Sequence, residues 1–198
     1  DAHFESCGQQ WMLLAEPRCA VALVNQSSYG HDVSPAGGDE HTPTMGVMAR
    51  LTLLRSPQSP DPHPDQGRHH IVYSLLTDAR IESAHVEAAR LNQPLQVRSG
   101  TVELPSTARI EPVHGTTVID AVKQAFDGFG DLVIRIHEAE GARSRVRLLL
   151  DQDGCVSEVD LLEDPIDEPT QQLPASTCSK VELTLRPFQI LTLRVSQR

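Results

Sequence analysis

Apolar and polar positions alternate along much of this chain, and they do so in short runs. In residues 132–138, Leu132, Ile134 and Ile136 fall on one side, Arg135 and His137 on the other. Period two in β-branched or Leu-rich segments predicts half-buried strands. The same pattern marks residues 118–123, 143–150, 155–162, 179–185 and 188–195. Turn chemistry separates the runs: Asp127-Gly128, Gly130-Asp131, Glu140-Gly141, Asp153-Gly154 and Arg186-Pro187. This succession of strands, with no long helical pattern, predicts a small antiparallel β-sandwich.

The first half is also strand-like, with longer connections. Residues 11–15 and 19–25 read as neighbouring strands turned at Glu16-Pro17. Residues 48–54 and 69–76 read as two more. Residues 55–67 between them hold four prolines, which remove ladder donors and predict an ordered, partly extended loop. A second loop, 34–44, is rich in Gly and Pro. Residues 84–92 form the one expected helix, ended by Asn92 and Pro94. A joint at 99–106 would divide the chain into domains 1–106 and 107–198.

Composition narrows the function. The 198 residues carry 17 Lys and Arg against 27 Asp and Glu, a formal charge of −10. That excess of carboxylates argues against phosphate-backbone binding to nucleic acid and against docking on an anionic membrane. No apolar run reaches the ~18–20 residues of a spanning helix. The first residue is Asp1 rather than Met, which reads as a processed product or a piece of something longer. None of the four cysteines, Cys7, Cys19, Cys155 and Cys178, sits in a CxxC pair. An even count allows two disulfides, but the preferred reading is reduced thiols in a cytoplasmic protein.

Candidate chemistry is sparse. Asp61, His63, Asp65, His69 and His70 have metal-ligating side chains, yet the intervening prolines splay alternate residues apart, which favours a surface loop. In residues 25–32, Asn25, Tyr29 and His31 are groups a sugar site would use, and Gly30 offers a positive-φ turn. Ser27 or Ser28 with His31 and Asp32 makes no triad, because sequence neighbours cannot supply nucleophile, base and orienter. Glu163, Asp164, Asp167 and Glu168 could pair as acid and base, but a Pro-flanked acidic stretch reads as a solvated loop. No GxSxG, P-loop, HExxH or GxGxxG pattern occurs.

Several stretches, in order, resemble the C-terminal region of glycoside hydrolase family 38, the α-mannosidases. They are residues 21–30, 51–57, 60–69, 71–75 and 88–95 in the first half. In the second half they are 122–125, 132–139, 161–163 and 185–193. Departures from the family pattern fall at Gln26, Ser28, Phe126, Asp127 and Gln189. The resemblance implies an all-β architecture: the C-terminal part of a galactose-mutarotase-like β-supersandwich, then a small antiparallel β-sandwich. It implies a retaining enzyme, for which two close carboxylates serve double displacement. The nucleophile and a zinc would lie in a separate α/β catalytic domain, so this chain has no catalytic residue, no metal ligand and no cofactor of its own. Its expected partners are that domain and mannose-containing glycans. By the same analogy Asn25, Tyr29, His31 and Arg55 are candidates for substrate contacts at the rim of the sugar pocket. A free-standing carbohydrate-binding module and a purely structural domain are the rival readings.

Overall fold

A computed structural model describes residues 5–37, 46–95, 97, 99–100 and 108–196. The chain divides into two compact units, 1–97 and 98–198. Strands dominate both, and every pairing between them is antiparallel.

The first unit holds two three-stranded sheets and a helix. One sheet pairs β1 (Ser6–Cys7), β4 (Gly30–Pro35) and β5 (Val47–Leu51) in the order β1-β4-β5. The other pairs β2 (Trp11–Glu16), β3 (Cys19–Asn25) and β6 (Tyr73–Thr77) in the order β2-β3-β6. The helix α1 (Ile81–Asn92) packs on this second sheet. Its buried Ala84 meets Ala22 of β3, with Trp11, Leu13 and Leu76 around them. Trp11 sets its ring edge against His85 at 5.1 Å. Small residues let the helix approach the sheet closely, but they bury little area, so this core is thin.

The second unit is the sandwich expected from the alternation. Its strands are β7 (Ala108–His114), β8 (Thr117–Gln124), β9 (Leu132–Glu138), β10 (Ser144–Val159), β11 (Cys178–Leu185) and β12 (Ile190–Ser196). The order is β11-β10-β12-β9-β8, with β7 also paired to β10. Alternate residues Leu132, Ile134, Ile136, Val146, Leu148, Val181, Leu183, Leu191 and Leu193 turn inward and make one core. Each such side chain contributes roughly 1.5–3 kcal/mol relative to exposure.

Two expected strands, 143–150 and 155–162, are one. β10 runs unbroken from Ser144 to Val159 through the Asp153-Gly154 step, which is a bulge and not a turn. Its first half pairs with β7 and β11, and its second half with β12. A strand that changes sheets turns a sandwich corner, and bulges supply the bend. At Gly154 a Cβ would lie 2.5 Å from Cγ1 of Val195 and 3.1 Å from the Ser196 carbonyl. Glycine is there because β12 crosses too closely for anything larger.

Other boundaries moved for local reasons. β6 begins at Tyr73, so His69 and His70 belong to the preceding loop, where His69 Nε2 donates to the Asp65 carbonyl at 2.7 Å. β5 ends at Leu51, and the following Thr52 N–H bonds the Gly30 carbonyl at 2.9 Å. Leu161 and Leu162 are exposed in a turn organised by Asp160, whose carboxylate accepts the N–H groups of Leu162 and Asp164. Gly30 is not a positive-φ turn but the first residue of β4. β1, β4 and β7 carried no alternation signal: they are short, polar or, in β7, interrupted by Pro112.

Candidate functional site

A cleft of about 540 Å³ opens in the first unit. Residues 27–30, 52–55, Glu5, Ser6, Cys7 and Asp65 line it. The loop after β5 folds back on itself to bring Asp65 there. Ser56 donates its N–H to Asp65 Oδ2 at 3.2 Å.

Two of the four candidate residues line this cleft, and two stand behind it. Tyr29 is 42% exposed at the wall. Arg55 also lines it and forms an ion pair with Glu5. A side chain at position 30 would run into the Glu5 carboxylate, so Gly30 leaves room for that carboxylate. Glu5, which had no signal in the sequence, thus joins the site through tertiary contact alone.

Asn25 and His31 are buried. Asn25 donates through Nδ2 to the Ser28 carbonyl and, at 3.5 Å, to the Gly8 carbonyl. His31 Nε2 lies 3.2 Å from the same Gly8 carbonyl and 3.3 Å from Asn25 Nδ2. Ser28 lines the cleft, and Gly8 follows Cys7 in its wall. The pair therefore ties the cleft-forming turn 26–29 to the segment after β1. Asn25 Oδ1 and His31 Nδ1 are buried with no hydrogen-bond partner among the described residues. Burial pushes the His31 pKa below its ordinary value.

The remaining polar residues pair locally. Asp32 holds Arg50 in a two-pronged pair, Nε to Oδ2 at 2.8 Å and Nη2 to Oδ1 at 2.8 Å, and takes no part with Ser27, Ser28 or His31. Asp61 Oδ1 accepts the His63 N–H at 2.8 Å, and His63 Nδ1 meets Gln66 at 3.0 Å. Among the described residues no three His, Cys, Asp or Glu side chains converge to hold a metal. In the acidic stretch, Glu163 pairs with Lys123 and accepts the Phe126 N–H. The Lys123 hydrogen bond, aided by that N–H, holds the Glu163 carboxyl below the usual carboxylate range. No helix among the described residues is long and apolar enough to cross a membrane.

Fold and cleft together define an all-β region of two units, with a polar cleft in the first. Its relatives place it further. Residues 1–63 match the "Glycosyl hydrolases family 38 C-terminal domain", and residues 116–193 match the "Glycosyl hydrolases family 38 C-terminal beta sandwich domain". Human alpha-mannosidase 2C1 is 33% identical over 97% of this chain and 18% of its own length. Alpha-mannosidase G of Dictyostelium discoideum is 32% identical over 71% of this chain and 12% of its own. The alpha-mannosidase of Saccharomyces cerevisiae is 24% identical over 98% of this chain and 19% of its own. The chain belongs to glycoside hydrolase family 38, as its C-terminal β region. It spans less than a fifth of the length of these curated relatives.

Proposed function

We propose that this chain is the non-catalytic C-terminal β region of a retaining, zinc-dependent α-mannosidase that hydrolyses terminal α-mannosyl residues of glycans. It packs on and completes a catalytic domain, which supplies the nucleophile and the metal. The observation that carries this reading is a partly exposed apolar face. In the sheet β2-β3-β6, the register puts Met12, Leu14, Val21, Leu23, Tyr73 and Leu75 on the side away from α1. Tyr73 is 56% exposed and Leu75 65%. A contiguous apolar face of this kind is the mark of a partner surface. The occupant that family membership supports is the rest of the enzyme.

Within that assembly Tyr29 and Arg55 contact sugar at the rim of the pocket. Asn25 and His31 hold the turn that carries Tyr29. The domain division at 106/107 places the cleft and the apolar face in the first domain and the small sandwich in the second. The location is cytoplasmic, a reading supported by Cys7, Cys19, Cys155 and Cys178 all being free thiols.

The isolated chain is expected to release nothing from an aryl α-mannoside, with or without zinc. Co-expression with the preceding part of the polypeptide should restore turnover. Leu75→Glu should abolish that restoration while the isolated variant keeps its β-sheet circular dichroism. Zinc-dependent release by the isolated chain would overturn the assignment of the catalytic groups elsewhere. The rival reading is a free-standing carbohydrate-binding module, although the single Trp, Trp11, is turned onto α1. Titration calorimetry with mannose and mannobiose separates the two, since millimolar or tighter binding by the isolated chain would favour the module.

A further inference from the structure

One outward sheet face of the second unit gathers positive charge in an acidic chain. Along β10, Arg145 stands opposite Thr184, Arg147 opposite Glu182 and Leu149 opposite Lys180. On the other side, β7 sets His114, Glu111 and Arg109 against the same three residues. The alternate residues Val146, Leu148, Val181 and Leu183 are buried, so this set faces solvent. Arg143 and Arg186 flank the end pair Ser144–Leu185. Arg109, Arg143, Arg145, Arg147, Lys180 and Arg186 thus share a face with Glu111 and Glu182, although the whole chain carries −10.

The carboxylates do not cover the cations evenly. Glu182 is shared by Arg145 at 2.9 Å and Arg147 at 3.3 Å. Those two guanidinium groups hold its carboxyl below the usual range, Arg147 foremost. Arg143 and Arg186 have no carboxylate partner among the described residues. Like charges facing across a ladder are destabilising. Both line one cleft of about 470 Å³ with Arg145, Glu182, Thr170, Gln171, Gln172 and Thr184.

The polar wall opposite is fixed in advance. Glu158 accepts the Thr170 N–H at 2.7 Å and its hydroxyl at 2.8 Å. Gln171 closes a two-way bond with the Thr184 backbone, at 3.0 and 3.2 Å. A cleft that three arginines share with one carboxylate, the guanidinium groups of Arg143 and Arg186 being unpaired among the described residues, suits a tetrahedral oxyanion, which guanidinium binds bidentately. We infer that this cleft binds a phosphate group, free or carried on a sugar, between Arg143 and Arg186.

The test is thermal unfolding of the 198-residue chain at constant ionic strength balanced with chloride. Inorganic phosphate, glucose 6-phosphate and glucose are titrated separately. Phosphate should raise the melting temperature saturably, and glucose should not. Arg143→Gln and Arg186→Gln should each lose at least tenfold in apparent affinity. Without phosphate both should melt no lower than the parent, because a repulsion has been removed. Arg147→Gln, outside the cleft, should respond as the parent does. Tighter binding of glucose 6-phosphate than of phosphate identifies a sugar-borne group, and equal binding identifies the free ion. A shift that chloride reproduces, or variants that respond like the parent, would overturn the inference.

Discussion

Asn92, the last residue of the helix, donates its side-chain N–H to the Asn25 carbonyl, 3.0 Å away and 67 positions earlier in the chain. Asn25 in turn holds the Ser28 carbonyl through its own side chain. The helix, the end of β3 and the cleft-forming turn are therefore one hydrogen-bonded unit.

Asn25→Ala should loosen that unit at its centre. It strips donors from the Ser28 and Gly8 carbonyls, and the expected loss is ~1–3 kcal/mol. Urea unfolding followed by Trp11 emission measures it, since the single Trp lies in the first unit. Asn92→Ala should cost less, because the Asn25 side chain keeps its own bonds. Equal stability of Asn25→Ala and parent would show that the buried amide contributes nothing net.

The two units should answer pH in opposite directions through their histidines. Burial lowers the His31 pKa, so the unfolded chain binds the extra proton more readily. Its contribution is whole above about pH 6.5 and is lost as pH falls toward the lowered folded value. His137 is the reverse. Its hydrogen bond to Asp120, at 2.9 Å, raises its pKa against the cost of burial. That contribution is whole below about pH 6.5 and fades as pH rises through the raised value. His31→Phe should flatten the acid-side decline seen by Trp11 emission. Asp120→Asn should cost on the order of 0.5–1 kcal/mol at pH 5.5 and less at pH 8.

Glu138 is fully buried at the end of β9, and its carboxylate accepts the N–H groups of Glu140, Gly141 and Phe188 at 2.8–2.9 Å. Burial alone would raise its pKa, but these N–H donors outweigh burial and hold it low. Glu138→Gln replaces an acceptor oxygen by a donor amide facing donors. The expected loss is ~2–3 kcal/mol, read from the far-ultraviolet circular dichroism midpoint in urea. The parent should also lose stability on acidification through the lowered folded pKa, and the variant should show less of that decline.

Gly154 offers a graded test of the sandwich corner. Gly154→Val should force β10 from β12 and cost ~1–3 kcal/mol as an overpacking change. Gly154→Ala should fall between it and the parent. Circular dichroism midpoints for the three proteins give the order, and an unchanged Val variant would mean that the corner yields freely.

The strands β9, β11 and β12 were legible because each buries one face, and burial of one face writes period two into the sequence. The helix was legible from its Ala-rich run and its ending at Asn92. The acidic balance set aside nucleic acid, and the ordered stretches from 21–30 to 185–193 carried the family resemblance without any coordinates. Tertiary structure alone decided the rest. Asp153-Gly154 has the chemistry of a turn, and only the approach of β12 makes it a bulge in a continuous strand. Asn25, Tyr29, His31 and Arg55 look alike as polar candidates in the sequence. Their separation into buried supports and cleft wall depends on Gly8 and Glu5, which local pattern cannot bring near. Arg143 and Arg186 become neighbours only through the register of β10 and β11. Period and composition are local quantities, whereas burial and charge pairing are set by which distant residues the fold brings together.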